Sequence, residues 1–228
     1  METEGTRPAQ GRPREFCTET ALVAALRVFW SKGYEGASLS DLTEAMGINR
    51  PSLYAAFGNK EALFRRALDL YDRRSAAFMT AALKAPTARA VAEGVLRGAL
   101  NLHAGPDGPR GCLHVIHSVA CGAEAESIRA EVIVRRAQVE AALLKRFEQA
   151  KSEGDLPGEI EPLGLTRWLL AVVQGMAVQA GSDVSRAELE RMVDTAMLMW
   201  PAGHRQGVEL QASRQRETNS DTLEDEGR

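Results

Sequence analysis

One short stretch of the chain concentrates side chains that can bind metal ions or react with electrophiles. Residues 111–122 read GCLHVIHSVACG and hold two of the three cysteines and two of the four histidines. If this stretch is helical, His114, His117 and Cys121 follow the spacing i, i+3, i+7 and share one face. Imidazole and thiolate ligands suit zinc or copper, so the pattern raises a metal-binding hypothesis.

Cys112 lies on another side of this predicted helix and supports a second hypothesis. It follows a loop and stands near the helix N-terminus, a position that tends to lower the pKa of a thiol. A reactive thiol there would suit a sensor of electrophiles or of redox state. A third interpretation is that these side chains, with His103 at the end of the preceding predicted helix, line a pocket or core without special chemistry. The sequence leaves all three interpretations open.

A second group of polar side chains lies where two short helices are predicted around a glycine. Ser38 and Asp41 form a capping-box pattern at the start of the first helix. Gly47 ends that helix, and a second one is predicted over residues 50–57 with Pro51 in its first turn. Two short helices joined by such a turn are typical of a helix-turn-helix, whose second helix fits a DNA major groove about 12 Å wide. The exposed positions of this second helix are small or polar: Asn49, Arg50, Ser52 and Ala55.

The composition of the whole chain favours an all-α fold. The 228 residues are 44% hydrophobic but only 5% aromatic, and apolar side chains recur at helical spacing without strand-like alternation. Ser185 and Glu188 form another capping-box pattern, and residues 105–111 have the composition of a loop. Further helices are predicted at about residues 18–32, 59–84, 87–103, 111–122, 124–153, 162–180 and 186–200.

Composition and motifs also limit the classes of function. The formal net charge is −3, so any nucleic-acid binding must rest on local contacts rather than on an overall positive field. No leader segment and no apolar run near the roughly 20 residues of a membrane span is found, and the odd cysteine count suits a reduced protein, so we expect a cytoplasmic location. The chain lacks a Gly-x-Ser-x-Gly elbow and a nucleotide loop, so an enzyme is disfavoured and no cofactor is expected.

The helix-turn-helix region resembles the TetR/AcrR family of regulators over roughly residues 14–71. The matching features are the Gly33-Tyr34 turn, the Ser38 cap, the Leu53-Tyr54-x-x-Phe57 helix and Lys60-Glu61-x-Leu63. The rest of the chain matches in length and helical organisation. The resemblance implies an N-terminal three-helix DNA-binding domain and a larger C-terminal helical domain that binds a ligand and dimerises.

Combined with the composition, the resemblance divides the chain into four parts. We expect a flexible basic arm at 1–15, the helix-turn-helix DNA-binding domain at 16–62, the ligand-binding and dimerisation domain at 63–200 and a disordered polar tail at 201–228. The arm carries arginines that would contact phosphates or enter a minor groove, although a solvated tail is the alternative: Arg7, Arg12 and Arg14.

The resemblance also implies roles for particular side chains. Asn49, Arg50 and Ser52 would lie at the groove, and Ser38, Tyr54 and Lys60 would hold phosphates. Pro51, Ala55 and Ala56 depart from the usual family residues, so base contacts would be sparse. The alternatives are that Ser38 is only a cap, that Tyr54 is a core residue and that Arg50 is a solvated charge. The predicted DNA contacts are Ser38, Ser40, Asn49, Arg50, Ser52, Tyr54 and Lys60.

The two last predicted helices, at 162–180 and 186–200, are apolar over wide faces. Two such helices from each subunit would pair into a four-helix interface around a two-fold axis, unless they form an ordinary intramolecular core. A dimer would also place two recognition helices in grooves roughly 34–36 Å apart. The candidate ligand-pocket or sensor residues are His103, Cys112, His114, His117, Cys121 and Trp168.

The function that follows is a homodimeric repressor that leaves a palindromic operator when a small-molecule effector shifts its conformation. One alternative is a DNA-organising protein that needs no ligand. Another is a repressor that senses a metal through His114, His117 and Cys121 or an electrophile through Cys112. The sequence does not decide between repression and activation, and it does not identify the effector or the operator.

Overall fold

A computed structural model describes residues 17–106, 109–115 and 125–201 of the chain, and these residues form helices and connecting loops without a strand. The all-α prediction is therefore confirmed. The predicted arm at 1–15, nearly all of the tail at 201–228, and His117 and Cys121 lie outside the described residues. The helices within the described ranges are α1 (Thr18–Gly36), α2 (Leu39–Met46), α3 (Arg50–Phe57), α4 (Lys60–Leu83), α5 (Ala88–His103), α6 (Glu126–Ser152), α7 (Pro162–Gly181) and α8 (Arg186–Leu198).

The first helix continues beyond its predicted end. We expected Gly33 to stop it after Lys32, but α1 resumes and ends at Gly36. Gly33 interrupts the helix with a φ of 73°, which a glycine adopts at little cost. The result is a kink followed by a last turn that leads directly into the Ser38 cap of α2.

The helices α1, α2, α3 and the first half of α4 share one core rich in aromatic side chains, and we call this unit the head. Phe29 packs edge-to-face on Phe64 with ring centroids 5.0 Å apart. Trp30 packs in the same way on Tyr71 at 4.9 Å. Such pairs add to the free energy gained from burial alone. Further fully buried head residues are Ala25, Leu26, Leu42, Leu53, Leu63 and Leu68.

The long helix α4 leaves the head and continues into the second unit. Its first half is buried in the head core, and its second half packs on α5. The predicted division between residues 62 and 63 stays a prediction, since the helix runs unbroken across it.

The helices α5, α6, α7 and α8, with the second half of α4, form the second unit, which we call the sensor. Arg89 of α5 donates to the carbonyl of Met197 at 2.8 Å, and Asp155 accepts from the backbone N–H of Ala88 at 2.5 Å. The core between these helices is rich in alanine, with few aromatic side chains. Among the described residues, none of the helices has both the length and the apolar character needed to cross a membrane.

Two elements of the sensor sequence contribute to the head core. Leu113 belongs to the described stretch 109–115, and Ile128 and Val132 lie on the first turns of α6. All three are almost completely buried. The predicted helix at 111–122 is described only to Val115, and residues 113–115 are helical.

Candidate nucleic-acid interface and effector cavity

The start of α2 carries the capping box that the sequence predicted. The hydroxyl of Ser38 accepts from the backbone N–H of Asp41 at 3.0 Å and donates to its carboxylate at 2.8 Å. Lys32 adds an ion pair to the same carboxylate at 2.6 Å. Hydrogen bonds from Lys32 and then from Ser38 lower the pKa of Asp41 to about 2. Because its proton points at Asp41, Ser38 can donate to a phosphate only by giving up that bond.

The turn between α2 and α3 is fixed by Gly47 and Asn49. Gly47 adopts the left-handed conformation, with φ at 66°. The side-chain oxygen of Asn49 accepts from the backbone N–H of Ser52 at 2.9 Å and so caps α3. The oxygen is thereby committed to the backbone, and a base contact would use the amide nitrogen.

Arg50 joins the two helices of the motif on their exposed side. Its guanidinium donates to the hydroxyl of Ser40 at 3.0 Å. The structure therefore brings together two side chains that the sequence analysis proposed as separate DNA contacts. Both are exposed, so the pair can rearrange when a phosphate or base edge approaches.

Tyr54 lies on the outer side of α3. Its side chain is 46% exposed, so the alternative interpretation of Tyr54 as a core residue is wrong. The inward positions of this helix are taken by Leu53 and Phe57. Lys60, the first residue of α4, places its ammonium 4.7 Å from the ring centroid of Tyr34. Tyr54 is thus an exposed residue of α3, and Lys60 lies where α4 begins.

Two further basic side chains position the motif, and the sequence analysis did not find them. Arg66 donates to the carbonyl of Ala56 at 3.1 Å and lies over the Phe57 ring at 4.6 Å. It therefore holds the end of α3 against α4, as Lys32 holds α2 against α1. Each contact spans nine or ten residues between different helices, so no local pattern could announce it.

The sensor contains a cavity of about 860 Å³ between α4, α5, α6 and α7. Most of its wall is apolar, and polar or charged side chains from all four helices and from residues 109–115 also line it. Trp168 does not line this cavity, but lies with Met192 and Met199 at a smaller depression formed by α7 and α8. The polar wall residues include Tyr71, Asp72, His103, Cys112, His114 and Gln174.

Cys112 is on the cavity wall, but its surroundings shift the thiol pKa in the direction opposite to the one expected. The hydroxyl of Tyr71 donates to the sulfur of Cys112 at 3.3 Å. Burial raises the pKa of the Cys112 thiol, and it also raises the pKa of Tyr71. The expectation of a lowered thiol pKa is therefore wrong, because desolvation outweighs the helix N-terminus and the hydrogen bonds.

A cluster of charges joins α4 to α6 beside the cavity. Arg135 of α6 pairs with Asp69, Asp72 and Glu131, and the Asp69 contact measures 2.7 Å. His114 places Nε2 2.9 Å from Asp72, at an angle that is not that of a directed hydrogen bond. Burial acts to raise the pKa of Asp72, but His114 and Arg135 together hold it below its usual value. Asp72 is therefore an ionised carboxylate at the cavity wall.

His103 is the most buried of the described histidines. Burial lowers its pKa to about 4, so the ring is neutral near pH 7. Within the described ranges, no three His, Cys, Asp or Glu side chains are grouped to hold a metal ion. The metal hypothesis for His114, His117 and Cys121 stays a prediction, because two of its three ligands lie outside those ranges.

The fold and these sites define a class of protein: a helix-turn-helix DNA-binding regulator whose second unit contains a cavity large enough for a small molecule. Residues 21–67 match the family described as "Bacterial regulatory proteins, tetR family". The chain is 31% identical over 201 residues to the "HTH-type transcriptional repressor ComR" of Escherichia coli (strain K12), covering 87% of this chain and 96% of that one. The chain belongs to the TetR family and is a DNA-binding transcriptional regulator, not an enzyme.

Two other relatives extend the likeness. The "HTH-type transcriptional repressor BdcR" of the same Escherichia coli strain is 38% identical over 122 residues, which cover 52% of this chain and 61% of that one. A cysteine mutant of the TetR family transcriptional regulator CifR, solved with 26bp double-strand operator DNA, is 38% identical with a TM-score of 0.78. That likeness covers 84% of this chain and 100% of the CifR chain.

Proposed function

We propose that the protein is a homodimeric repressor in the cytoplasm that binds a palindromic operator and releases it when a small molecule fills the sensor cavity. The observation that carries this proposal is the combination, in one chain, of an exposed recognition helix and a cavity in the sensor, joined by α4. The repressor names of the relatives support the direction of the response. A ligand acts by preferring a dimer conformation that does not fit the operator.

On the DNA side, we assign base contacts to the start of α3 and phosphate contacts to the surrounding cap residues. Asn49, Arg50 and Ser52 would reach the major groove, with Arg50 as the strongest candidate for a guanine contact. Lys60 lies at the N-terminus of α4, where the helix dipole also favours a phosphate. The other proposed phosphate contacts are Ser38, Ser40 and Tyr54.

The proposed dimer interface is the outer face of α7 and α8, over residues 162–200. Three large apolar side chains are exposed on these elements: Val178 at 54%, Leu198 at 84% and Met199 at 68%. A folded chain that displayed them to water would gain free energy by covering them with the same face of a second copy. Such a two-fold dimer would present two recognition helices to half-sites roughly 34–36 Å apart.

The cavity indicates the general chemistry of the effector. A mostly apolar wall that also carries polar groups suits a small molecule that has an apolar body and at least one polar group. Asp72 and His114 are the polar side chains through which such a group would be held. Because Asp72 also pairs with Arg135, a ligand that competes for this carboxylate would loosen the contact between α4 and α6.

The test begins with an in vitro selection of duplexes from random DNA by the full-length protein. We expect a palindromic site, and we expect Arg50→Ala to weaken its binding by at least about tenfold. Arg73→Ala is the matched control, since Arg73 is an exposed arginine of α4 that lies more than three helical turns beyond Lys60. Selection of no preferred site, or wild-type affinity and preference in Arg50→Ala, would contradict the proposal.

An electrophilic effector is a second candidate, because Cys112 lies on the cavity wall. In a Cys17→Ser, Cys121→Ser background, iodoacetamide at alkaline pH should alkylate Cys112, whose thiol pKa is raised by burial, and release the selected duplex. Cys112→Ser should then keep its duplex under the same treatment. If the Cys112→Ser protein releases DNA as readily, this candidate is wrong, and non-covalent ligands become the only class to screen by thermal shift.

A further inference from the structure

Residues 109–115, which we call the connecting segment, contact both units of the protein within a few residues. Arg110 donates from Nε to the carbonyl of Ala180 at 3.0 Å, and its other nitrogen donates to the carbonyl of Val184. The segment is thus attached to the C-terminal end of α7 and the loop after it. These are the elements that carry the proposed dimer face.

The carbonyl of Gly111 accepts hydrogen bonds from the two units at once. The indole Nε1–H of Trp30, in α1 of the head, donates to it at 3.1 Å. His103, at the end of α5 in the sensor, places Nδ1 3.1 Å from the same oxygen. Because a carbonyl oxygen can only accept, Nδ1 is the nitrogen of the neutral His103 ring that carries the proton and donates. Both donors are buried, so neither bond can be replaced by one to water without cost.

The path of the connecting segment is fixed at Gly111 itself. The residue has a φ of 92°, which L side chains rarely adopt. A Cβ atom added there would lie 3.2 Å from the carbonyl of Ala177 on α7. The backbone therefore passes close to α7 at this point, and the carbonyl is aimed between the two donors.

The residues that follow Gly111 alternate between the cavity and the head. Cys112 and His114 line the cavity wall, whereas Leu113 between them is completely buried in the head core. Tyr71 also contacts both sides, because its ring packs on Trp30 and its hydroxyl donates to Cys112. A ligand that displaces Cys112 or His114 must therefore move Leu113 and the Gly111 carbonyl as well.

We infer that the connecting segment transmits occupancy of the cavity to the head, and that the bond from Trp30 to the Gly111 carbonyl is its point of attachment to α1. Trp30 is accordingly a positioning residue, which sets the orientation of the head without touching DNA. A shift of the Gly111 carbonyl pulls on α1, whose last turn leads into the cap of α2. This route reaches α1 directly and runs beside α4, which touches it through Tyr71, although the DNA readout of its test rests on the proposed function.

The experiment uses a side chain as a substitute occupant, since the effector is not identified. Val173→Trp fills the cavity from α7, where Val173 is part of the wall and does not belong to the head. Trp30→Phe removes the indole donor but keeps an aromatic ring against Tyr71. The full-length wild type, the two single variants and the double variant are each measured for affinity to the selected duplex, which gives a double-mutant cycle.

The expected result is non-additive. Val173→Trp should weaken duplex binding by about tenfold in the wild-type background and by less than about twofold in the Trp30→Phe background. Equal losses in both backgrounds, or no loss in either, would overturn the inference. Leu170→Trp is the second filling variant if Val173→Trp does not fold.

A readout without DNA separates failure of this inference from failure of the proposed function. In the ¹⁵N-labelled protein, the indole signal of Trp30 should shift, and its hydrogen exchange should rise about tenfold, when Val173→Trp is introduced. The backbone amide of Leu53, in the close-packed head, serves as the reference, whereas the indole of Trp200 belongs to the same core as Val173 and can shift with it. An unchanged Trp30 signal in a folded Val173→Trp protein would overturn the coupling even if DNA binding were confirmed.

A matched pair of control variants is available at His103. The substitution His103→Asn keeps an N–H donor near the place of Nδ1, whereas His103→Leu removes the donor. We expect the coupling between cavity and Trp30 to persist in His103→Asn and to fall in His103→Leu. Equal coupling in the two variants would show that the His103 bond to the Gly111 carbonyl does not carry it, and would overturn this part of the inference.

Discussion

The head and the sensor fill their interiors in different ways. The head packs aromatic rings against one another, including Phe29 on Phe64 and Trp30 on Tyr71. The sensor core is built largely from alanine and medium-sized aliphatic side chains, and it surrounds a cavity of about 860 Å³. The two units share α4, so the difference lies in packing and not in the kind of secondary structure.

This difference assigns mechanical roles to the two units. A close-packed interior cannot rearrange without unfolding. We therefore expect the head to move as a rigid body. A wall beside a cavity can shift towards a ligand without creating clashes. The sensor can therefore change shape. In the head, the only consequence of that change is a different position of the whole unit.

The largest expected effect comes from truncating a leucine in each unit. Leu53→Ala in the head should lower the free energy of unfolding by about 4 kcal/mol, because the packed surroundings cannot collapse into the space. Leu170→Ala, on the partly buried cavity wall, should cost less than half as much. Urea unfolding at one fixed protomer concentration measures both values. Equal losses would mean that the two interiors are equally packed.

The next effect is a pH dependence of the folding stability, which arises from His103 at the boundary between the units. Its pKa is about 4 in the folded chain and 6.5 as the ordinary value. Between these values the unfolded chain binds a proton that the folded chain does not, so stability falls as the pH is lowered from 6.5 to 4. The full decrease amounts to about 3 kcal/mol.

The measurement for His103 is the free energy of unfolding at pH 7 and pH 5. The wild type should lose clearly more stability on acidification than His103→Leu, which has no ring to protonate. Carboxylates titrate in both proteins and cancel in this difference. A wild type and variant with parallel pH profiles would refute the buried, neutral state of His103.

Replacing an alanine by a larger residue in each unit also tests the difference in packing, by adding atoms instead of removing them. Ala25→Leu in the head should destabilise the protein by about 2 kcal/mol, since the added atoms find no space. Ala99→Leu beside the cavity should cost little or even stabilise, because the cavity can receive the new methyl groups. Thermal unfolding of both variants would decide, and a larger loss for Ala99→Leu would reverse the proposed roles of the two units.

The smallest effect compares the capping boxes of the two units, Ser38 with Asp41 and Ser185 with Glu188. Ser38→Ala and Ser185→Ala each remove the hydroxyl of a capping box, so each should cost about 1 kcal/mol of stability. Only Ser38→Ala should also weaken binding to the selected duplex, since α2 carries the turn into α3. Reduced DNA affinity in Ser185→Ala would show that the sensor cap contributes to the head position.

The sequence predicted best the features that depend on residues close together in the chain. Both capping boxes join residues three apart, and the glycine after α2 acts within one turn. Helix bounds were similarly accessible, because the periodicity of apolar residues is local. The bend at Gly33 was the exception, since the last turn of α1 is held by packing of its neighbours on the rest of the head.

Features that depend on distant residues could not be read from the sequence. The bond from Trp30 to Gly111 spans 81 positions, and no spacing rule connects them. The pKa shift of Cys112 was predicted in the wrong direction. The helix N-terminus beside it is a local feature of the sequence, whereas its burial is created by Tyr71 and α6. Trp168 was assigned to the pocket on composition alone. The structure places this residue of α7 at the smaller depression between α7 and α8 instead.

The length of α4 has a geometric consequence for the register on DNA. The helix has 24 residues, which at 1.5 Å per residue gives a rod of about 36 Å. A tilt of about 5° at the cavity end would displace the far end by about 3 Å, close to the 3.4 Å rise of one base pair. A small tilt of α4 caused by a bound ligand would therefore move each recognition helix by about the spacing of one base pair along the operator.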